Sequence, residues 1–203
     1  MDFSKFEYAY AISGGIGSGK SSVCQILSSL GYAVLDADKI AHKVLDTQYK
    51  KIGEVFGQGV IEQEGRVNRR ELGKIVFASQ EKLERLQNLL NPCIYQNLFV
   101  QCQELEELKR AYFVEIALLF EQREILNFRH KVLVIGKDIF QRVQERDNLS
   151  KEEIGARIQA QMSVEERRRY ASEVIENLGT LKELEESVLG WVKSLKSDRL
   201  IRH

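Results

Sequence analysis

The sequence predicts an α/β domain in which helices cover both faces of a parallel sheet. Short apolar runs rich in β-branched and aromatic residues alternate with stretches in which apolar residues recur at helical spacing. Strands that are buried on both faces of a sheet are continuously apolar in this way. With 203 residues and 43% hydrophobic content, the chain is long enough to bury a core of ordinary size. We therefore expect a three-layer α/β fold with right-handed crossovers.

A long helical stretch separates the second predicted strand from the third. Residues 38 to about 90 are mostly helical in pattern, and residues 93–110 return to helical spacing. Pro92, the only proline, predicts a boundary between two helices. The stretch therefore indicates an inserted helical subdomain. The predicted strands are residues 8–13, 32–35, 112–116, 131–135 and 172–176.

Three capping boxes predict where helices begin near the carboxyl end. In this motif a hydroxyl and a carboxylate three residues later satisfy each other's free backbone amides. We expect the last of these helices to run to about Leu195. The pairs are Ser150 with Glu153, Ser163 with Glu166, and Thr180 with Glu183.

The charge and cysteine content exclude several classes of partner. Thirty basic and thirty acidic residues leave no net charge that would attract nucleic acid or an anionic membrane. The amino terminus lacks a signal-peptide pattern, and the apolar run 111–120 is too short to span a bilayer. Cys24, Cys93 and Cys102 lack metal-ligand or redox-motif spacing, so we expect reduced thiols. These features predict a cytoplasmic protein without nucleic-acid or membrane partners.

A glycine-rich segment after the first predicted strand matches a phosphate-binding motif. Gly14, Gly19, Lys20 and Ser21 satisfy G-x-x-x-x-G-K-[ST], in which backbone amides and a helix amino terminus surround phosphate oxygens. Background residue usage gives a chance match on the order of 1% in a chain of this length. Lys20 is expected to reach the β- and γ-phosphates, and the Ser21 hydroxyl to ligate Mg²⁺. The predicted nucleotide-binding residues are Gly14, Gly15, Ile16, Gly17, Ser18, Gly19, Lys20, Ser21 and Ser22.

Two aspartates after the second predicted strand suggest what the nucleotide is used for. The guanine-reading Asn-Lys-x-Asp and the Asp-x-x-Gly of switch proteins are absent from the sequence. Small-molecule kinases instead place an acid near this point, where it accepts the proton of an attacking hydroxyl. Asp36 and Asp38 stand there. Asp38 is equally well placed as a helix N-cap, and spacing alone does not separate the two roles.

Arginines in the second half of the chain are candidate phosphate ligands. Arg142 and Arg146 lie four residues apart and would share one helix face. The alternative is that they are solvated surface residues. The same alternative applies to a later group in a stretch that could fold over the site as a mobile lid. That group is Arg157, Arg167, Arg168 and Arg169.

Taken together, these motifs resemble the dephospho-coenzyme A kinase family over almost the whole chain. The segment from Gly14 to Lys20 is similar to the family's opening, and the segment from Asp36 to His42 to its Asp-Ala-Asp-x-Ile-Ala-His. The family's arginine helix is matched by Arg142 and Arg146. Further matches are Glu64, Gly65, Arg69, Leu72 and Phe77; Leu118, Leu119, Phe120 and Glu121; Asp147; Arg157, Ile158 and Gln161; and Val174, Ile175, Asn177 and Gly179.

The resemblance implies a P-loop kinase fold and transfer of the γ-phosphoryl group of ATP, with Mg²⁺, to the 3′-hydroxyl of dephospho-coenzyme A. Asp38 would be the catalytic base, Lys20 and Arg142 would neutralise charge on the transferring group, and Ser13 and Arg146 would line the nucleotide site. It also implies a nucleotide core of about residues 7–58 and 111–203, and an acceptor-binding helical subdomain of about 59–110 that includes Arg69. A lid would cover about 148–170. We expect small-molecule substrates and a monomer or weak homo-oligomer.

Three positions depart from the family pattern. Ala117 replaces a usual proline, Asn91 a usual histidine and Ser172 a usual aspartate. Two other functions remain open at this stage. One is a P-loop kinase with a nucleoside monophosphate or small metabolite as acceptor, and the other is a nucleotide-sensing binding module.

Overall fold

A computed structural model of the chain describes residues 1–62, 64–147 and 149–200, with side chains described as far as Leu195. The strands are β1 (Ala9–Gly14), β2 (Val34–Asp36), β3 (Tyr112–Glu115), β4 (His130–Gly136) and β5 (Glu173–Asn177). The helices are α1 (Lys20–Ser29), α2 (Ala37–Thr47), α3 (Tyr49–Phe56), α4 (Arg69–Phe77), α5 (Gln80–Glu106), α6 (Ile139–Asp147), α7 (Lys151–Gln159), α8 (Val164–Tyr170) and α9 (Leu181–Leu200).

The strands form one sheet in the order β2-β3-β1-β4-β5, with β1 at its centre. β1 pairs in parallel with β3, where Ala11 lies opposite Val114, and with β4, where Ala11 lies opposite Lys131. β4 pairs in parallel with β5. All five predicted strands are present, each with ends within two residues of the prediction. The central position of β1 puts the residues that follow Gly14 between two neighbouring strands.

Helices lie on both faces of this sheet, as the three-layer prediction requires. Tyr10 and Ile12 of β1 form a core with apolar residues of α1 and α9, including Leu27 and Val188. Because side chains alternate along a strand, the intervening residues of β1 face the other side. α8 packs against β4. β1 is buried along its whole length, which explains its continuous apolar sequence.

The three capping boxes are confirmed. In each one the hydroxyl accepts from the backbone amide of the glutamate, and the glutamate accepts from the backbone amide of the hydroxyl residue. α9 continues to Leu200, five residues beyond the predicted end. The capping-box motif therefore predicted the starts of these helices correctly, whereas no comparable motif marks the end of α9.

The helix boundary predicted at Pro92 is wrong. α5 runs unbroken from Gln80 to Glu106, and Pro92 lies in its interior. Proline in a helix interior costs about 3 kcal/mol, because one hydrogen bond is lost and the ring crowds the preceding turn. Buried side chains flank the proline, with Leu90 before it and Tyr95 and Leu98 after it. Packing on both sides therefore favours one continuous helix despite this cost.

The chain divides into two compact units. One comprises residues Asp36–Gln101 and contains α2, α3, α4 and most of α5. The other comprises Asp2–Leu35 together with the chain from Cys102 onward, and it contains the glycine-rich loop. The acceptor-binding subdomain predicted from the sequence covers about residues 59–110, and that assignment remains a prediction. Among the described residues, no helix combines the length and apolar character needed to cross a membrane.

Candidate active site

The glycine-rich segment forms a tight loop between β1 and α1. Gly14 ends β1, the loop follows, and Lys20, Ser21 and Ser22 form the first turn of α1. The amide of Ser18 donates to the Gly15 carbonyl at 3.1 Å, which closes a turn within the loop. The first amides of a helix have no partners within the helix and carry partial positive charge. We refer to residues 14–20 as the phosphate loop, since its geometry suits an anion at the start of α1.

Two of the glycines are required by close packing from the neighbouring strands. A side chain at Gly14 would place its first carbon 2.5 Å from the Val134 carbonyl oxygen of β4. A side chain at Gly19, where φ is 92°, would overlap the amide group of Asn177. Asn177 ends β5 and is 5% exposed, and its amide donates to the Ser18 carbonyl at 3.0 Å. The loop therefore packs closely against β4 and β5.

A carboxylate at the end of β3 meets the lysine and serine of the motif. Lys20 Nζ lies 2.5 Å from Glu115 Oε1, and the Ser21 hydroxyl donates to the same oxygen at 2.9 Å. The Lys20 and Glu115 side chains are each 14% exposed. Burial makes an unpaired charge costly, so each of these two groups stabilises the other. A cation and two oxygen donors are thereby brought together at the start of α1.

Ser13, the residue before the phosphate loop, is fully buried. Its hydroxyl donates to the Ala117 carbonyl at 3.2 Å, which ties the end of β1 to the segment after β3. The structure thus gives Ser13 a structural bond, and its contact with a nucleotide remains a prediction.

Helix α6 approaches the phosphate loop with one of its two predicted arginines. A side chain at Gly17 would contact Val143, and one at Gly19 would lie 3.8 Å from Arg142 Nη1. Arg142 therefore reaches the loop. Arg146 instead makes a two-pronged bond to its neighbour Asp147, with Nε–Oδ1 at 2.7 Å and Nη2–Oδ2 at 2.8 Å. This bond raises the pKa of Arg146 and lowers the pKa of Asp147. A role for Arg146 in nucleotide binding remains a prediction.

The loop is also contacted by the segment that contains α7 and α8. The amide of Ile16 donates to Gln161 Oε1 at 3.1 Å, and a side chain at Gly15 would lie 3.0 Å from Arg167 Nη1. Arg167 is only 2% exposed, so the solvated-surface alternative is wrong for this residue. Its neighbour Arg168 does lie at the surface, where it pairs with Glu176 at 3.2 Å.

The structure separates the two aspartates that the sequence left equivalent. Asp36 is the N-cap of α2, and its carboxylate accepts from the Lys39 amide at 3.0 Å. Asp38 lies in the first turn of α2 with its side chain exposed, so the N-cap alternative for Asp38 is wrong. Its carboxylate is therefore not used to cap the helix.

Arg69, the candidate acceptor contact, begins α4 in the other unit. Its guanidinium lies 3.0 Å from Asp46 Oδ2 of α2. Both side chains are partly exposed, at 47% and 35%. Arg69 is therefore paired within its own unit, and its contact with an acceptor remains a prediction.

Sequence reasoning missed two residues that contact the phosphate loop or its lysine. Glu115 and Asn177 were assigned no role from their chemistry, although Glu115 pairs with Lys20 and Asn177 donates to the Ser18 carbonyl. Glu115 and Asn177 are the last residues of β3 and β5. Ligands of α/β sheets bind at the carboxyl ends of the strands, so the polar residues at the ends of β3 and β5 were the signal that could have revealed these contacts.

A cavity of about 600 Å³ lies beside the loop and is lined by residues 136–141 and Ile158.

Comparison with known proteins identifies the family. The family model described as dephospho-CoA kinase matches residues 8–183. A dephospho-CoA kinase of Wolinella succinogenes is 39% identical over 194 residues, which cover 94% of this chain and 96% of the relative. The chain belongs to the dephospho-CoA kinase family. This confirms the resemblance inferred from the sequence.

Solved structures agree with this assignment to the dephospho-CoA kinase family. The dephospho-CoA kinase of Campylobacter jejuni superimposes with a TM-score of 0.70 at 29% identity, covering 92% of this chain and 96% of that one. The protein TT1252 of Thermus thermophilus superimposes with a TM-score of 0.79 at 36% identity, covering 94% of this chain and 99% of that one. The similarity therefore covers both compact units.

The packing at Gly19 leads to a test that uses a second glycine as its control. Gly31 also has positive φ, at 83°, but apart from its chain neighbours no atom of the described residues lies within 4 Å of a side chain placed there. Gly31→Ala should cost about 1 kcal/mol of stability from backbone strain alone. Gly19→Ala should cost about 2–4 kcal/mol, because the added carbon also displaces Asn177. Denaturant unfolding measures both, and equal losses would contradict the close packing described for Gly19.

Proposed function

We propose that this chain transfers the γ-phosphoryl group of ATP to the 3′-hydroxyl of dephospho-coenzyme A, giving coenzyme A and ADP. Membership of the dephospho-CoA kinase family supports this activity. The single observation that carries the proposal is the cluster of Lys20, Ser21 and Glu115 at the start of α1. It places a cation and oxygen donors beside a loop whose backbone suits phosphate, which is what an ATP-dependent kinase needs.

Phosphoryl transfer depends mainly on positioning and on positive charge around the transferred group. The loop amides would hold the β- and γ-phosphates, with Lys20 beside them. Arg142, which reaches the loop at Gly19, would add charge at the transferring group. The cavity beside residues 136–141 has apolar side chains in Ile139 and Phe140, and it would take the nucleoside end of ATP.

The donor set at the loop fits Mg²⁺. Magnesium prefers oxygen ligands and is held by one or two protein groups together with substrate phosphates. The Ser21 hydroxyl and the Glu115 carboxylate are such groups, 2.9 Å apart. Among the described residues, no cluster of three or more His, Cys, Asp or Glu side chains could hold a metal without a substrate. Bound Mg²⁺ would neutralise phosphate charge, and Ser21 with Glu115 would orient the phosphates it binds.

Asp38 is our candidate for the general base. It follows the carboxyl end of β2 by two residues, its side chain is exposed, and Asp36 already caps the helix. It also matches the second aspartate of the family's Asp-Ala-Asp. In this role Asp38 would orient the 3′-hydroxyl and accept its proton during attack on the γ-phosphorus.

The remaining features of the proposal concern substrates and location. Both substrates are small molecules, and we expect neither nucleic acid nor membrane to be involved. A cytoplasmic monomer or weak homo-oligomer remains our prediction. Cys24, Cys93 and Cys102 are free thiols, as is usual in a reducing compartment, and burial raises the pKa of Cys102 to about 12.

An acceptor panel tests the proposed function directly. ADP release with Mg²⁺-ATP should rise at least about tenfold over the acceptor-free rate when dephospho-coenzyme A is added, because the hydroxyl replaces water as nucleophile. A nucleoside monophosphate and shikimate serve as competing acceptors. Acceptor-dependent ADP release with another compound, and none with dephospho-coenzyme A, would refute the assignment.

Neighbouring aspartates provide a matched test of the base. Asp38→Asn should lower kcat by about 10² or more with little change in ATP binding, since a positioned base typically contributes that much. Asp36→Asn should retain turnover, because asparagine caps a helix as well as aspartate does. Steady-state kinetics and ATP titration calorimetry measure the two effects. If Asp38→Asn keeps near-normal turnover, or if only Asp36→Asn loses turnover, Asp38 is not the general base.

The proposed metal ligand can be tested through magnesium dependence. Glu115→Gln should raise the Mg²⁺ concentration needed for half-maximal rate by about tenfold or more, because groups that support a metal site typically contribute this much. Glu124→Gln, at an exposed position, is the control. An unchanged magnesium requirement in Glu115→Gln would show that Glu115 serves only as the ion-pair partner of Lys20.

A further inference from the structure

A buried ion pair joins α8 to the segment that follows β3. Arg167 Nη2 lies 2.8 Å from Glu121 Oε1, and the two side chains are 2% and 20% exposed. The same Glu121 oxygen accepts from the backbone amide of Met162 at 3.1 Å. One carboxylate oxygen therefore holds both α8 and the turn that precedes it.

The turn held by Glu121 carries the side chain that contacts the phosphate loop. Gln161 precedes Met162, and its Oε1 accepts from the Ile16 amide at 3.1 Å. Arg167 itself lies close to this contact, since a side chain at Gly15 would be 3.0 Å from its Nη1 and 3.6 Å from Gln161 Oε1. Gln161 and Arg167 thus cover the first half of the loop together.

A second contact fixes the same two segments. The Arg123 guanidinium lies 4.4 Å from the centre of the Tyr170 ring, at the end of α8. Arg123 also donates to the Phe120 carbonyl at 3.3 Å, which keeps it on the segment after β3. Glu121 therefore lies beside a second contact between the same two segments, and its bond to the Met162 amide places Gln161 next to the loop.

The ion pair is not optimised as a purely structural bridge. Among the described residues, Glu121 Oε2 and Arg167 Nε are buried side-chain atoms without a hydrogen-bond partner. Such unsatisfied atoms reduce the net stability that a buried pair contributes. The pair has this cost, and it lies one side chain away from the backbone that we propose binds phosphate. Its role in positioning Gln161 therefore explains it better than stability does.

We propose that Arg167 is a positioning residue for the reaction: with Glu121 it holds Gln161 on the Ile16 amide and so fixes the first half of the phosphate loop for ATP. The inference rests on the proposed use of the loop for ATP. It does not depend on which acceptor is phosphorylated. Arg167 acts through Gln161, so its removal and the removal of Gln161 should have the same effect.

A double-mutant design tests this coupling without leaving an unpaired buried charge. Glu121→Gln combined with Arg167→Met removes both charges, and Gln161→Ala removes only the contact with Ile16. Each should weaken Mg²⁺-ATP binding about tenfold, the usual effect of one well-placed hydrogen bond. Because both act at the same contact, the triple variant should bind ATP within about twofold of Gln161→Ala. Calorimetric titration without acceptor measures all of these affinities.

The neighbouring surface pair is the matched control. Arg168→Met with Glu176→Gln removes a pair of the same type one residue along α8, where both side chains are about half exposed. This variant should bind ATP as the parent does. Arg167→Lys keeps a positive charge beside Glu121 but loses the second guanidinium nitrogen, so its ATP affinity should lie between that of the parent and that of the Glu121→Gln, Arg167→Met variant. The KM for the acceptor should not change in any of these variants.

Two results would overturn the inference. If the triple variant loses the product of the two separate effects, Arg167 does not act through Gln161. If the Glu121→Gln, Arg167→Met protein melts at a lower temperature but binds ATP normally, the pair is structural only. Failure of the proposed function would look different, since it would appear in the acceptor panel while these ATP affinities still followed the expected pattern.

Discussion

The site depends on a steric constraint, namely that the phosphate loop has no room for side chains at Gly14 and Gly19. The Val134 carbonyl of β4 approaches the first position, and Asn177 of β5 approaches the second. These two strands lie in order beside β1, so the sheet itself determines the space available to the loop. The glycines therefore serve two purposes at once. They would leave the backbone amides accessible to a phosphate, and they allow the loop to pack against β4 and β5.

The charges at the loop follow from the same compact arrangement. Lys20 cannot be buried alone, and Glu115 compensates it at the end of β3. A triphosphate bound here would replace the Glu115 carboxylate as the anionic partner of Lys20. The lysine would therefore have an anionic partner both before and after binding. Glu115 would then be free to face a metal ion beside Ser21. Such an exchange would allow a pair that stabilises the fold to belong to a binding site as well.

Local sequence patterns predicted the parts of the fold that depend on local interactions. Strand positions, the three capping boxes and the phosphate loop all follow from residues close together in the sequence. The boundary expected at Pro92 failed because packing around Leu90 and Leu98 outweighs the local cost of proline. The contacts of Lys20 with Glu115 and of Asn177 with Ser18 join residues 95 and 159 positions apart. Such contacts exist only after the sheet has brought strand ends together, so spacing could not reveal them.

The arginines of α8 show why composition alone could not separate surface from site. Glutamates in the first turn and arginines in the last turn both suit the helix dipole, so this pattern is favourable whether or not any arginine has a function. Successive residues on a helix point about 100° apart, and this places Arg167 inside and Arg168 outside. A helix of seven residues is too short to be stable by itself. Its position must therefore come from tertiary contacts, which include its packing against β4 and the contacts of Arg167 with Glu121 and of Tyr170 with Arg123. In our proposal the position of Gln161 on the phosphate loop follows from the Glu121 contact.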